Sequence, residues 1–256
     1  MKILLLGHKG YLGSFLAKHL KVDILDLSER KLFPNGKKYD YVINCIGKPN
    51  LEYCEKQVEE TNYSNWFILR DIKRFYPSSK IINFSSYYVY DDTGLCTEKS
   101  RTTDKYNYTR QKLLGEKEVE NGVSFRIGKL FGNPQATQKK LTEYILDEDD
   151  LVLDTVLFNP TSVIQVLKVI MYELDHKNLK GVYNLSNNGI ASHYDYGVFI
   201  NNILKSNKNI KKIKKIVRSF NNYGRFTMSV EKINRKIHLT PWEEDMKLYL
   251  MNILTS

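Results

Sequence analysis

Several features that would mark out simpler alternatives are missing from these 256 residues. The three cysteines (Cys45, Cys54 and Cys96) are odd in number and lack CxxC spacing. A disulfide scaffold is thereby excluded, and free thiols in a reducing compartment are expected. No stretch approaches eighteen apolar residues; the longest runs, such as Ile3 to Leu6, are strand-sized, which argues against a membrane span. Met1-Lys2 leads straight into that run and a glycine motif, so no signal peptide is expected and the reading is a soluble, cytoplasmic protein. The five histidines (His8, His19, His176, His193 and His238) show no spacing of the HExxH kind, and no metal site is expected. Repeats and low-complexity linkers are also lacking. Alanine is scarce, at Ala17, Ala136 and Ala191 only.

What remains has an ordinary globular composition, 42% hydrophobic and 27% charged, with length enough for one to two domains and a real core. Thirty-nine Lys+Arg against twenty-nine Asp+Glu give a net charge of +10, which raises nucleic acid or an acidic substrate as a partner. The densest basic run, Lys205 to Arg218, carries Ile210, Ile213, Ile216 and Val217 at helix-like spacing and reads as a helix with a solvated lysine face. Aromatic residues are not interleaved with it as a stacking platform requires, so no nucleic-acid partner is expected.

Strands and helices alternate from the start. Strand candidates are Ile3 to Leu6, Val22 to Leu27, Tyr41 to Ile46, Lys80 to Ser85 and Val123 to Ile127. Between them, Tyr11 to Leu20 and Tyr108 to Val119 have helical character, and Trp66, Phe67, Leu69 and Ile72 mark one side of another helix closed by Pro77. This order predicts an α/β fold, a doubly wound parallel sheet with ligands at the carboxyl ends of its strands. Further on, Leu151 to Leu153 and Gly181 to Leu185 read as strands and Val163 to Leu174 as a helix.

Three constellations can carry chemistry. Gly7-His8-Lys9-Gly10-Tyr11-Leu12-Gly13 is a GxxGxxG between the first strand and the first helix, where glycines let backbone approach a pyrophosphate at the helix N-terminus. Asp26, nineteen positions after Gly7, is placed to hold the adenosine ribose of NAD; Asp23 is near, and Arg30 could instead pair with a 2′-phosphate, so the cofactor is NADH or NADPH. Tyr108 and Lys112 form a YxxxK on one helix face. Such pairs arise by chance about twice in a chain this rich in both residues, and Tyr106 with Arg110 is a neighbouring decoy, so context must decide. Ser85-Ser86 ends the fourth strand in the same crevice. Together they suit hydride addition to a ketone, in which a phenol protonates the nascent alkoxide and a serine hydroxyl steadies it. An ammonium ~5 Å from the phenol would lower its pKa by about two units at an effective dielectric of ~20.

At this point the segments GHKGYLG, VINCIGKPN, FSSYYVYD, YTRQKLLGE, FRIGKLFGNP, NPTS and GVYNLSNNGIASHYDYG resemble the extended short-chain dehydrogenase/reductases, and within them the dTDP-4-dehydrorhamnose reductases. Gly115-Glu116 sets the register and selects Tyr108 over Tyr106. The resemblance implies Tyr108 as general acid, Lys112 as its modulator and nicotinamide-ribose ligand, and Ser86 as the family's Ser/Thr. It further implies that Gly47, Lys48, Pro49 and Phe84 line the cofactor site. A Rossmann domain over 1–132, completed by about 155–183, and a small α+β substrate-binding region over 133–154 and 184–256 follow from it, with a nucleotide-diphosphate sugar between them and a homodimer allowed. Tyr87 replaces the family's aspartate, and Lys129 stands where a sugar-contacting tryptophan is common. Tyr88 occupies the position of the cysteine acid/base of related epimerase-reductases, which favours 4-keto reduction without 3,5-epimerisation. The competing class is a cofactor-binding regulatory subunit without turnover, like the methionine adenosyltransferase β subunit.

Overall fold

Alternation along the apolar strands divides the interior in two. Ile3, Leu5, Tyr41, Ile43, Ile82 and Phe84 enter one buried cluster, and Leu4, Leu6, Val42 and Ile81 enter another, because successive side chains of a strand point to opposite faces. The structure, a computed structural model, describes residues 1–27, 33, 37–214 and 226–255. Six strands form a parallel sheet: β1 (Ile3–Leu6), β2 (Asp23–Leu25), β3 (Tyr41–Asn44), β4 (Lys80–Ser86), β5 (Val123–Ile127) and β6 (Gly181–Leu185). Their order is β6-β5-β4-β3-β1-β2, so the direction of winding reverses between β1 and β3. A crevice opens outside the carboxyl ends of the strands at such a reversal.

Helices cover both faces, which is why β1 and β3 are buried throughout. The first cluster takes in α1 (Tyr11–His19) and, late in the chain, Val163, Val166, Val169, Ile170 and Leu174 of the helix Val163–His176. On the second face lie α2 (Ile68–Phe75), through Ile68, Leu69 and Ile72, and α3 (Asn107–Glu118), which packs on β4. A third cluster, with Phe131, Ile145, Leu153, Phe158, Tyr196, Trp242 and Met246, joins α4 (Leu141–Asp147), α6 (His193–Leu204) and α7 (Trp242–Leu254) in the second half of the chain, whereas α5 (Val163–His176) packs into the first cluster. Ile233 and Leu239 also pack into the first cluster, so the C-terminal segment helps close the core beside the sheet.

Two expectations are corrected. Trp66 and Phe67 are only half-buried, and the inward residues are Asn65, Ile68, Leu69 and Ile72. A π turn over Tyr63–Phe67 widens the helical repeat, so simple 3.6-residue spacing misplaces the face. The basic run is not one helix. α6 ends at Leu204, Lys205 caps it in the left-handed region (φ 50°), and Asn209–Ile213 is a strand paired in parallel with Asp150–Asp154. Ile210 packs on the third cluster while Lys211 and Lys212 are exposed, and Lys215 to Arg218 lie outside the described residues. A distant strand partner outweighs local helical spacing here.

Candidate active site at the carboxyl edge of the sheet

The glycine loop is fixed by backbone contact. Gly7 has φ +80°, and a Cβ there would lie 2.6 Å from the Cys45 carbonyl carbon at the end of β3; a Cβ on Gly13 would lie 2.1 Å from the Gly7 carbonyl oxygen. Gly7 and Gly13 therefore shape the loop from beneath, while Gly10, Tyr11 and Leu12 reach the cleft. Gly10 caps α1 without a side-chain hydrogen bond, and no acidic residue stands in the first turn. The amides and dipole at that end suit an anion.

The wall after β3 comes from Cys45, Ile46, Gly47 and Pro49. Lys48 shares this loop but turns its side chain outward to Glu60 at 3.3 Å. Its backbone is gripped by a residue that no sequence motif marks. Asn65, buried on the π turn, accepts from Lys48 N at 2.8 Å and donates to Lys48 O at 3.2 Å and to Gln111 Oε1 at 2.9 Å. It sits among other polar residues, Thr61, Asn62 and Ser64, so nothing in the sequence sets it apart.

β4 delivers Phe84, Ser85 and Ser86 to the same cleft. Ser85 donates to Glu116 Oε1 at 2.5 Å, and Arg126 holds Glu116 with two hydrogen bonds of 2.9 and 2.7 Å. Glu116 thus ties α3 to the ends of β4 and β5. The buried face of α3 is polar for this reason, carrying Tyr108, Thr109, Gln111, Lys112 and Gly115 inward. The Ser86 hydroxyl hydrogen-bonds the Tyr108 phenol. Lys112 donates from Nζ to the Phe84 carbonyl at 3.0 Å, 6.0 Å from the centre of the Tyr108 ring. Tyr108 faces the cleft with Ser86 and Lys112, and Tyr106 does not line it.

The electrostatics differ from the sequence expectation. Burial pushes the Tyr108 phenol well above its usual range, and the Ser86 hydrogen bond offsets only part of this. Burial also pushes the Lys112 amine down to about 8. An ammonium that is itself desolvated and committed to a carbonyl does not hold the phenol two units low. The phenol is consequently protonated at neutral pH. Cys45, which also faces the cleft, is raised by burial and is a poor nucleophile.

The cleft encloses about 340 Å³ and carries Lys129 and Tyr87 on its far side, with Tyr87 stacked on Tyr88 at 4.4 Å. Gln138, Lys140 and Leu141 complete that side, and sequence reasoning singled out none of them. No Asp or Glu lines the cleft among the described residues. Asp26 lies outside it, bound to Lys9 at 2.6 Å with His8 Nε2 at 4.0 Å, at the outer edge of the glycine loop; Arg30 lies outside the described residues. The arrangement can hold an anionic dinucleotide over the loop and offer a hydroxyl, a phenol and an amine to a polar substrate.

The chain is 26% identical over 225 residues to a trifunctional UDP-glucose 4,6-dehydratase/UDP-4-keto-6-deoxy-D-glucose 3,5-epimerase/UDP-4-keto-L-rhamnose-reductase of Arabidopsis thaliana, covering 75% of this chain and 32% of the plant protein. It thus spans about a third of that relative's length. It is 22% identical over 229 residues to the spore coat polysaccharide biosynthesis protein SpsK of Bacillus subtilis, covering 78% of each. The fold matches a dTDP-4-dehydrorhamnose reductase from Clostridium acetobutylicum with a TM-score of 0.85 at 22% identity over 100% of both chains. It also matches that of Bacillus anthracis in complex with NADP, with a TM-score of 0.79 at 18% identity over 98% and 99% of the two chains. Residues 1–255 match, as a whole, the family described as RmlD substrate binding domain, and the chain belongs to that family.

Proposed function

We propose that this protein uses NADH or NADPH to reduce the 4-keto group of a nucleotide-diphosphate 6-deoxy sugar, as a reductase of the short-chain dehydrogenase/reductase class. The carrying observation is the meeting of Ser86, Tyr108 and Lys112 in one cleft with the uncapped N-terminus of α1. The residues present fit a dinucleotide: the loop Gly10 to Leu12 and the α1 amides would hold its pyrophosphate, and Gly47, Pro49 and Phe84 would flank the nicotinamide half. NAD(P)H, when bound, supplies the hydride. Tyr108 gives its proton to the substrate oxygen as negative charge develops there. Ser86 donates a hydrogen bond to the same oxygen. Lys112, held by the Phe84 carbonyl beside Tyr108, would bond the nicotinamide ribose. Residues 133–154 and 184–256 serve as the substrate-binding region, with Tyr87 and Lys129 contacting the sugar nucleotide. Tyr88 in place of a cysteine favours reduction without epimerisation.

The test is oxidation of NADH and of NADPH against dTDP-, UDP- and GDP-4-keto-6-deoxy sugars, followed at 340 nm. Turnover of at least one sugar nucleotide is expected, as is a rise in melting temperature with millimolar cofactor. Cofactor binding with no turnover of any sugar would instead support the regulatory-subunit reading; neither binding nor turnover would end both.

A further inference from the structure

Two adjacent lysines at the start of α4 have opposite surroundings. Lys139 is exposed and pairs with Asp147 at 2.6 Å. Lys140 is half-buried, lines the cleft, and lies 5.5 Å from the centre of the Tyr11 ring, forming no ion pair among the described residues. Burial pulls its amine below the usual range. Glu143, the acid nearest in sequence, is already occupied: Oε1 accepts from the Tyr11 and Tyr249 phenols at 3.0 and 3.2 Å, and Oε2 accepts from Lys140 N at 2.8 Å. Lys140 thus brings an amine to a cleft lined by no carboxylate among the described residues, a place suited to an incoming anion. Tyr11 opens α1, so the same place receives that helix's positive end, and Lys129 faces the cleft as well.

We propose that Lys140 is a diphosphate-binding residue, contributed by the second half of the chain to the cleft that the glycine loop opens, with Lys129 as the accompanying cation. This rests on the reading of the cleft as a dinucleotide and sugar-nucleotide site. The diphosphate belongs either to the cofactor or to the sugar nucleotide, and affinity separates the two. Dissociation constants for NADH, NADPH, UDP and dTDP are measured by calorimetry for wild type, Lys140→Met, which keeps the aliphatic stem over Tyr11, and Lys140→Arg, which keeps the charge. Loss of one charged contact to phosphate weakens binding about tenfold or more. A tenfold loss for NADH and NADPH in Lys140→Met assigns the cofactor's diphosphate; the same loss for UDP or dTDP assigns the substrate's. Lys140→Arg stays within about threefold in either case. Should Lys140→Met fold poorly by its melting temperature, Lys140→Gln replaces it. Affinities unchanged within twofold for all four nucleotides in a folded variant overturn the proposal. A wild type that binds these nucleotides yet reduces no keto sugar defeats the proposed reaction and leaves this assignment standing.

Discussion

Tyr108 and Lys112 are four residues apart on one helix, yet burial moves them in the directions opposite to their charged forms. The phenol is kept neutral and the amine is brought down to about 8. Replacing the phenol leaves the cleft's shape but removes the proposed acid. Tyr108→Phe is expected to lower turnover by about 10²–10⁴-fold with cofactor affinity nearly unchanged, read from steady-state kinetics and nicotinamide fluorescence. An unaltered rate would remove Tyr108 from the mechanism. Lys112 also gives stability a pH dependence. The unfolded chain keeps this lysine protonated up to its ordinary pKa near 10.5, whereas the folded chain releases the proton near 8, so the unfolded state binds more protons between these values. Stability from this group therefore rises with pH across about 8 to 10.5, and the full penalty, ~3 kcal/mol, acts below pH 8. Lys112→Met should be most favourable relative to wild type at pH 7 and lose that advantage by pH 10, as read from urea midpoints. A constant difference would show that burial does not penalise the protonated amine. YxxxK itself was legible in the sequence because its spacing is local; the direction of the pKa shifts was not, because it depends on how deeply α3 is buried.

At the scale of elements, the site depends on close approaches between backbones. Gly13 touches the Gly7 carbonyl, so Gly13→Ala forces the loop and α1 apart, with an expected stability loss of about 1–3 kcal/mol and weaker NAD(P)H binding. Thermal melts with and without cofactor provide the check; an alanine accepted with unchanged melting temperature and affinity would show that the loop has slack. The π turn offers a second case. Asn65→Ala leaves Lys48 N and the buried Gln111 Oε1 short of a partner and Lys48 O with the Cys54 thiol alone, which is expected to cost about 1–3 kcal/mol in urea unfolding. The glycine loop could be read directly because its residues are consecutive and lie between a strand and a helix. Asn65 could not, since its function is defined by a loop seventeen positions upstream and a helix forty-six downstream.

Across the whole molecule, Glu143 joins the glycine-loop side to the second half of the chain. Tyr11 from α1 and Tyr249 from α7 both donate to its Oε1, and Asn133 donates to the Tyr11 carbonyl at 2.6 Å. Glu143→Ala strands two buried phenols and should lower stability by about 2 kcal/mol with an unchanged denaturant slope. A shift of the midpoint smaller than the scatter between replicate urea curves would show that these phenols find water instead. Both units share residues as well, for Ile233 and Leu239 leave the C-terminal segment to pack beside the sheet.

Composition, strand-helix alternation and the glycine loop were enough to specify a doubly wound parallel sheet, because short continuous apolar runs and a strand-glycine-helix sequence are local properties. Ser85-Ser86 and the Tyr108–Lys112 pair could be picked out as candidates at a strand end and on a helix face, while the choice of Ser86, and of Tyr108 over Tyr106, rested on the family resemblance. Tertiary structure alone decided that Asn65 grips the Lys48 loop, that Lys140 turns into the cleft while Lys139 turns out, and that the basic run after Leu204 continues into a strand. Each of those outcomes depends on partners far away in the chain, whose contacts override what neighbouring residues prefer.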